Sequence, residues 1–486
     1  MRLEDLKLLR KQAYVNGAWI DAESGATFTV TNPADGTLVG TVPEMGAAET
    51  RRAIAAAEAA FPAWSGKPAK ERTQMLRRWM ALIRDNLEDL ANLMTSEQGK
   101  PLAEARNEIT MGGNILEWYS EEARRVYGDM VPSLVDDKRI LVMRQAIGVV
   151  GAITPWNFPH GMIVRKCAPA LAAGCTVVIK PAEATPLSAL ALAELAARAE
   201  MPPGVLNIIT TSRPSGVGGE LTANPTVRKL SFTGSTAVGK LLMRQCADTI
   251  KKLSLELGGN APFIVFEDAD VEAAAAGAMA SKFRNAGQTC VCANRFLVHD
   301  QVYDDFLGRF AQAASGLRVG PGLEGESQVG PLINEQALAK VERIVKDAVD
   351  KGARVVIGGK RHLRGGTFYE PTILADVTHE MVCTQEEIFG PVAPVLRFTD
   401  ESQAIAMAND TRYGLASYFY SRSLGRVWRV AEAVDSGVVG VNVGNSASEV
   451  APFGGMKESG IGREGGKYAM DEFVELKYVL LGGIDG

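Results

Sequence analysis

Apolar and polar side chains follow two different rhythms along this chain, and the change comes near residue 147. Before it, a helical region repeats apolar side chains every three or four residues, which places them on one helix face. Its apolar positions are Leu76, Trp79, Met80, Ile83, Leu87 and Leu90. Gly99 and Pro101 end this pattern. Near the N-terminus, Asn16-Gly17 predicts a β-hairpin over residues 14–20.

After residue 147, short apolar runs alternate with Ala- and Leu-rich segments. The runs cover 147–153, 176–180, 205–210, 229–234 and 252–258, and residues 187–197 form one of the helical segments between them. Strands that are apolar throughout and separated by helices predict a parallel sheet buried on both faces. A second alternating region runs from about 261 to about 440. The fold class is therefore α/β, with ligands expected at the carboxyl ends of the strands.

Two strand-like segments, 138–143 and 472–481, have no obvious partner in their own neighbourhood. They could pair with each other or with another subunit, and the sequence leaves both arrangements open.

Composition narrows the class of protein. A chain of 486 residues predicts two or three domains. The net charge of -5 gives no basic footprint for nucleic acid. The charged N-terminal residues do not resemble a signal peptide, and no apolar run reaches the ~18 residues that a membrane span needs. Six cysteines in so long a chain favour a reducing compartment, so cytoplasm is the expected location.

Cys290 is the candidate nucleophile. It follows the small turn Gly287-Gln288-Thr289. A reactive cysteine is often activated by a histidine, but the four histidines are scattered and none stands in a catalytic motif. They are His160, His299, His362 and His379. The reaction must therefore tolerate the absence of a Cys-His pair, and no metal site is predicted.

A glycine loop, Gly234-Ser235 through Gly239-Lys240, follows a strand and opens a helix, which favours an anion such as phosphate. Leu241 stands where a P-loop needs Ser or Thr, which opposes a nucleoside triphosphatase. A plain packing turn remains the alternative. At the neighbouring strand end, Lys180 and Glu183 could bind ribose hydroxyls, or they could be a solvated pair. An acidic group in this role favours NAD over NADP.

Four motifs now stand in one order. They are Thr154-Pro155-Trp156-Asn157-Phe158-Pro159, Leu255-Glu256-Leu257-Gly258-Gly259, the segment 283–292 that contains Cys290, and Glu387-Ile388-Phe389-Gly390-Pro391. In this order and spacing the chain resembles the aldehyde dehydrogenase superfamily over nearly its whole length. The resemblance implies a Rossmann-like cofactor domain, an α/β catalytic domain and a small β oligomerisation element. The boundaries it implies are 1–127 with 147–258, then 259–440, and 128–146 with 441–486.

The resemblance also implies the reaction. Cys290 would add to an aldehyde, Asn157 would donate its amide to the oxyanion, and Glu256 would be the general base for water. Members that transfer the acyl group to coenzyme A lack this glutamate, so its presence implies hydrolysis to a free acid. The implied cofactor contacts are Thr154, Trp156, Lys180, Pro181, Ala182, Glu183, Gly234, Ser235, Leu257, Glu387 and Phe389. NAD is the expected cofactor, with NADP possible, and a homodimer or homotetramer is expected.

Within the superfamily the chain is most similar to the succinate-semialdehyde dehydrogenases. In that family two arginines, matching Arg165 and Arg284, hold the distal carboxylate of the substrate, a task that suits the planar guanidinium. The chain departs from the family at Ala447, where a serine is usual; Ser446 and Ser448 could substitute. A longer ω-carboxy aldehyde, a broad aliphatic or aromatic specificity, or a non-catalytic binding protein with this fold are the alternatives.

Cys292 admits three interpretations. It is inert packing, a disulfide partner of Cys290 under oxidation, as in redox-switched members that the chain resembles, or a metal ligand. No other Cys/His pair stands at ligand spacing, which makes metal the weakest of the three.

Overall fold

The computed structural model describes residues 1–446 and 448–483. The helices, numbered along the chain, are α1 Ala47–Ser65, α2 Ala69–Asp85, α3 Leu87–Gln98, α4 Leu102–Glu122, α5 Gly161–Ala173, α6 Pro186–Arg198, α7 Pro214–Ala223, α8 Thr236–Cys246, α9 Val271–Lys282, α10 Tyr303–Ser315, α11 Glu335–Asp350, α12 Val382–Gln385, α13 Glu401–Asn409, α14 Leu424–Ala433 and α15 Tyr468–Asp471. No helix among these is long and apolar enough to cross a bilayer.

The strands are β1 Ala13–Val15, β2 Ala18–Ile20, β3 Thr27–Thr31, β4 Leu38–Pro43, β5 Asp129–Val131, β6 Lys138–Ala146, β7 Val149–Ile153, β8 Thr176–Lys180, β9 Leu206–Ile208, β10 Val227–Thr233, β11 Lys252–Glu256, β12 Ala261–Val265, β13 Ala293–His299, β14 Arg354–Ile357, β15 Thr372–Ala375, β16 Val392–Phe398, β17 Tyr413–Gly414, β18 Ala416–Tyr420, β19 Val438–Val441, β20 Met456–Lys457, β21 Gly460–Ile461 and β22 Val474–Gly482.

The larger sheet has eight strands in the order β2-β1-β9-β8-β7-β10-β11-β21. Strands β7 to β11 are mutually parallel, as the apolar runs predict. The chain moves outward from β7 on one side through β8 and β9, then returns to β10 on the other. A crevice at such a switch point is where open α/β sheets bind ligands. The α/β class is thus confirmed.

A seven-stranded sheet, in the order β14-β15-β16-β13-β12-β18-β19, comes from the second alternating region. Its strands are parallel except for the antiparallel edge strand β14. Buried apolar residues of this sheet and its helices form one large cluster, which includes Phe263, Phe296 and Phe419. The nucleophile segment enters this sheet directly, because Cys290 stands three positions before Ala293, the first residue of β13.

The two isolated segments pair with each other. β22 lies antiparallel to β6 over nine residue pairs from Val474–Ala146 to Gly482–Lys138, and β5 covers the other edge of β6. Many of their apolar side chains are exposed, among them Met130, Leu476 and Tyr478. Of the two arrangements that the sequence left open, the structure therefore shows the pairing of the two segments with each other.

The hairpin at Asn16-Gly17 is confirmed, because both residues have positive φ between β1 and β2. The helical region before residue 99 is two helices, α2 and α3, separated at Asn86. The three- and four-residue spacing continues across this break, so Leu90 still packs in the same buried cluster as Leu76. α3 ends at Gln98 with Gly99 in the left-handed conformation, as expected.

Candidate active site

The predicted site residues follow the ends of neighbouring parallel strands. Ile153, the last residue of β7, lies opposite Lys180, the last of β8. Thr233, the last of β10, lies opposite Glu256, the last of β11. Because the carboxyl ends of parallel strands share one edge of the sheet, the loops that follow them converge around the crevice next to β7.

A cavity of about 260 Å³ opens at this edge. It is lined by Pro155, Trp156, Asn157, Phe158, Met162, Thr233, Gly234, Ser235, Leu257, Gly258, Cys290, Ala337, Lys340, Glu387 and Phe389. The structure therefore brings together eight of the predicted residues, Cys290 among them. No histidine lines this cavity within the described residues, so the thiol has no imidazole neighbour there.

The Cys290 segment is held in a sharp bend. Asn285 and Ala286 have φ of 51° and 53°, and Gly287 has φ of 73°. A Cβ on Gly287 would lie 2.1 Å from the Gly390 carbonyl oxygen, so only glycine fits at this turn. Burial raises the pKa of Cys290 to about 12, and the charges of Glu387 and Glu256 add to that effect. The thiol is therefore protonated at neutral pH and needs a base before it can act as a nucleophile.

Asn157 lies in the loop between β7 and α5, where no ladder of backbone hydrogen bonds holds it. Its Nδ2 donates to the Gln288 carbonyl at 3.0 Å. A side-chain amide has two N–H donors, and the described residues supply an acceptor to only one of them. The second is available to an oxygen bound in the cavity beside Cys290.

Glu256 is 3 % exposed, and both of its carboxylate oxygens are buried with no hydrogen-bond partner among the described residues. Burial raises its pKa well above the usual range, and Glu464 adds to the rise, while Lys166 opposes it. Glu256 does not line the cavity, although the next residue, Leu257, does. Its charge is nevertheless close enough to raise the pKa of Cys290.

The end of the crevice at Gly234 and Ser235 has features that suit the phosphate groups of a dinucleotide. Ser235 is the N-cap of α8, and its Oγ accepts from the Val238 N–H. The N-terminus of α8 therefore opens beside Gly234 and Ser235, where an anion is favoured. Thr154 and Thr233 add two buried hydroxyls that have no partner among the described residues. These are groups that a polar ligand would satisfy.

The outer end of the crevice carries the other predicted contacts. Lys180 Nζ lies 3.3 Å from Glu183 Oε2, and the Glu183 side chain is 52 % exposed. Pro181 and Ala182 connect them. None of these four residues lines the 260 Å³ cavity. They stand at the next strand end instead, which suits the adenosine half of an extended cofactor.

Trp156, Glu387 and Phe389 also line the cavity. Trp156 and Phe389 stack edge to face with ring centroids 5.6 Å apart. Glu387 Oε1 accepts from the Gly259 N–H at 2.9 Å, and burial raises the pKa of Glu387. Lys340 also lines the cavity, and the charge of Glu387 partly opposes the pKa decrease that burial causes at Lys340. Lys340 was not predicted from the sequence, because nothing local distinguishes it from Lys346, the other lysine of α11.

Two guanidinium groups act on Cys290. Both Arg165 and Arg284 oppose the rise in its pKa. Arg165 is 3 % exposed, its Nε has no hydrogen-bond partner, and its guanidinium carbon lies 4.5 Å from the centroid of the Phe453 ring. Arg284 lies 5.3 Å from the centroid of the Phe158 ring. Within the described residues, neither arginine forms an ion pair with a carboxylate.

The loop after β19 approaches the Cys290 segment. Gly444 packs against α9 so closely that a Cβ there would lie 2.0 Å from the Gly277 carbonyl oxygen. Ser446 lies beside the Tyr418 hydroxyl, which donates to the Val291 carbonyl at 2.8 Å. Ser448 Oγ accepts from the Val450 N–H instead. Ser446 is thus near the nucleophile segment, Ser448 is occupied within its own loop, and Ala447 lies outside the described residues.

Cys292 is buried and its thiol is free, as is that of Cys290. Its Sγ contacts the Lys282 and Ala293 carbonyl oxygens at 3.6 and 3.4 Å. The contacts of this thiol are therefore with α9 and β13. The oxidative pairing with Cys290 stays a prediction.

Comparison with known proteins gives consistent results. The family model described as "Aldehyde dehydrogenase family" matches residues 19–479. A glutarate-semialdehyde dehydrogenase of Pseudomonas aeruginosa is 60 % identical over 100 % of both chains. An NADP(+) succinate-semialdehyde dehydrogenase of Escherichia coli is 59 % identical over 99 % of this chain and 100 % of its own. The crystal structure of a succinate-semialdehyde dehydrogenase from Burkholderia pseudomallei superposes with a TM-score of 0.98, at 57 % identity over 99 % and 100 % of the two chains.

Proposed function

This chain belongs to the aldehyde dehydrogenase family, and we propose that it oxidises an ω-carboxylated semialdehyde, such as succinate or glutarate semialdehyde, to the dicarboxylic acid with NAD(P). Two relatives named for these substrates, at 59 % and 60 % identity, support the substrate class. The observation that carries it in the structure is the buried Nε of Arg165, which has no hydrogen-bond partner among the described residues, on a side chain whose charge acts on Cys290. The eight-stranded sheet would bind the dinucleotide and the seven-stranded sheet would supply the nucleophile.

The residues of the cavity suit the chemistry in order. The Cys290 thiol first loses its proton to solvent, directly or through Glu256. The thiolate then adds to the aldehyde carbon and forms a C–S bond, while the carbonyl π bond breaks and its oxygen becomes an oxyanion that accepts from Asn157 Nδ2. A nicotinamide held beside Glu387 and Phe389 would supply the acceptor for the hydride of this carbon. The product on Cys290 is a thioester.

Hydrolysis returns the enzyme to its starting state. Glu256 takes a proton from water, the water oxygen bonds to the acyl carbon, and the C–S bond breaks. The acid leaves and the Cys290 sulfur regains a proton. No step requires a histidine, which agrees with the absence of histidine from the lining of the described cavity.

The two arginines are proposed to select the substrate. Burying a guanidinium without an anion is costly, and a bound carboxylate would remove that cost by paired, charge-assisted hydrogen bonds. Arg165 would approach the carboxylate from α5 and Arg284 from the bend before Cys290. A neutral aldehyde has no anion to pair with the buried guanidinium, so we expect the enzyme to discriminate against it.

Replacing Arg165 with methionine should lower kcat/KM for succinate semialdehyde roughly 100-fold, because the lost charged hydrogen bonds contribute about 1.5–3 kcal/mol. Butanal has nearly the same length without the carboxylate, so its kcat/KM should fall by a much smaller factor, the part that reflects the lost effect of the Arg165 charge on the Cys290 thiol. NADH absorbance measures both. Arg429→Met, at an exposed arginine paired with Glu401, is the matched control.

An equal loss with both substrates would show that Arg165 acts on the chemistry rather than on the carboxylate. If the unaltered enzyme showed no preference for succinate or glutarate semialdehyde over butanal and benzaldehyde, the proposal would give way to a broad aldehyde specificity.

The preference for NAD is also part of the proposal. Glu183 stands at the end of β8 beside Lys180, where its carboxylate would accept from a ribose hydroxyl and repel a 2′-phosphate. The E. coli relative is named for NADP(+), so NADP is the second candidate. The half-exposed position of Glu183 makes the repulsion moderate.

Glu183→Ser should raise kcat/KM for NADP about tenfold and lower it for NAD, since removal of one negative charge near a phosphate is a change of 1–2 kcal/mol at this exposure. Both cofactors are compared at saturating semialdehyde. Glu58→Ser, at an exposed glutamate of α1, should leave the NADP/NAD ratio unchanged. A ratio unmoved by Glu183→Ser would remove this residue from cofactor selection.

Assembly and location complete the proposal. The exposed apolar side chains of β5, β6 and β22, including Leu476 and Tyr478, form a surface suited to association. We expect a homodimer or homotetramer in the cytoplasm.

A further inference from the structure

We propose that the buried ion pair of Lys100 and Glu108, together with Asn285, is a positioning device that holds the oxyanion amide of Asn157 in register with Cys290. This rests on the proposed function in one respect, that Asn157 binds the oxyanion.

Lys100 and Glu108 enclose the loop that carries Asn157. The Lys100 side chain is 0 % exposed and that of Glu108 1 %. Lys100 Nζ donates to the Asn157 backbone carbonyl at 2.8 Å and lies 4.1 Å from the centroid of the Phe158 ring. Glu108 Oε1 accepts from the N–H groups of His160 and Gly161 at 3.0 and 2.9 Å. One ion pair therefore contacts the loop at its middle and at its end, where α5 begins.

Asn285 links this loop to the nucleophile segment. Its Nδ2 donates to the Asn157 carbonyl at 3.0 Å and to the Gln288 carbonyl at 3.2 Å. The Gln288 carbonyl is also the acceptor of Asn157 Nδ2. Asn157 and the residue two positions before Cys290 are thus joined both directly and through Asn285.

The helices α3 and α4 hold Asn285 in turn. Gln98 Nε2 donates to Asn285 Oδ1 at 3.0 Å, and the Asn285 backbone N–H donates to Glu104 Oε2 at 2.8 Å. Gln98 Oε1 accepts from the Lys100 backbone N–H at 2.9 Å. The junction of α3 and α4, residues 98–108, therefore anchors both the loop that carries Asn157 and the segment that leads to Cys290.

Stability alone does not explain this arrangement. A buried ion pair costs desolvation that its attraction seldom exceeds, and apolar replacements are often neutral or stabilising. The pair also contacts catalytic groups through their backbone, and it touches neither the cavity nor the Cys290 thiol. A misplacement of about 1 Å at a catalytic donor can cost on the order of 100-fold in rate, so precise location of Asn157 is the benefit that the pair supplies.

The test is a double-mutant cycle between Lys100→Met and Asn157→Ala. Lys100→Met should lower kcat about 10- to 100-fold with KM for NAD little changed, because Asn157 loses its alignment. In the Asn157→Ala background the backbone carbonyl remains but the amide is gone, so Lys100→Met should cost less than about twofold further. A purely structural role would lower kcat by the same factor in both backgrounds, which would overturn the proposal.

Asn285→Gly provides a second cycle if Lys100→Met does not fold. Glycine accepts the φ of 51° and keeps the N–H that donates to Glu104, while the side-chain links are lost. The same non-additivity with Asn157→Ala is expected. Lys251→Met is the matched control, because Lys251 is also a buried lysine that donates to two backbone carbonyls, those of Asn224 and Val227.

The variants distinguish failure of the proposed reaction from failure of the proposed positioning role. If Asn157→Ala alone leaves kcat unchanged, the oxyanion role of Asn157 is wrong. If Asn157→Ala is impaired while Lys100→Met and Asn285→Gly both keep the kcat of the unaltered enzyme, the positioning role is wrong and the proposed reaction stands.

Discussion

Cys290→Ser should reduce NADH formation from succinate semialdehyde by about a thousandfold or more, in line with losses on removal of other nucleophiles. Serine differs from cysteine by a single atom, but its hydroxyl has a far higher pKa and is a weak nucleophile without an adjacent base. The cavity offers no histidine to compensate within its described lining. The loss should therefore fall on kcat, and cofactor binding, followed by quenching of protein fluorescence, should persist.

Cys292→Ser is the matched control for this change. Cys292 lies two residues away, is buried, and contacts the Lys282 and Ala293 carbonyls rather than the cavity. Its replacement should leave kcat close to that of the unaltered enzyme in reducing buffer. Comparable activity of the Cys290→Ser enzyme would return the chain to the alternative of a binding protein, or would assign the chemistry to another group.

Glu256→Gln should produce a burst of one NADH per active site followed by a steady rate about a hundred- to a thousandfold below normal, within the range of a lost general base and its electrostatic effect. The amide matches the carboxylate in shape but cannot take a proton from water. The thioester on Cys290 would then accumulate, because its formation does not need water. Rapid mixing with absorbance detection of NADH measures the burst amplitude.

The pH profile supplies a second readout of the same variant. Burial, reinforced by Glu464, raises the pKa of Glu256 in the folded enzyme. A base with a raised pKa is protonated and inactive below that pKa, so steady-state kcat should rise as pH increases through it. This limb should disappear in Glu256→Gln. Glu458→Gln, at a glutamate paired with Lys240 outside the cavity, should retain both kcat and the limb.

Absence of a burst would place Glu256 earlier in the reaction. The Cys290 thiol has a raised pKa and itself needs a base. A Glu256→Gln enzyme that releases no NADH at all would assign that first deprotonation to Glu256.

Much of the fold was predictable because its signals are local. The run 176–180 coincides with β8 Thr176–Lys180, and Asn16-Gly17 forms the predicted turn, since each depends on a few consecutive residues. The position of the crevice was predictable for the same reason, because residues 154–157, 234–235 and 257 directly follow β7, β10 and β11. The Cys290 and Glu387 motifs instead precede β13 and β16.

What the sequence did not reveal depends on contacts between distant segments. Lys100 reaches Asn157 across 57 residues, and Gln98 reaches Asn285 across 187. No periodicity distinguishes such residues from solvated polar side chains until the fold brings them together. The break at Asn86 was missed for a different reason, because the apolar spacing passes through it unchanged.

One strand pairing in the larger sheet joins two segments that are synthesised far apart in time. β11, which ends at Glu256, is covered on its outer side only by β21, where Glu256 pairs with Gly460. Those residues are about 200 positions apart, so at typical translation rates β11 remains an open edge on the nascent chain for roughly 10–40 s. An unpaired apolar edge is a template for association with other chains. During synthesis, the strand that carries the proposed general base is therefore exposed before its partner strand exists. A chaperone that covers this edge is expected to limit aggregation.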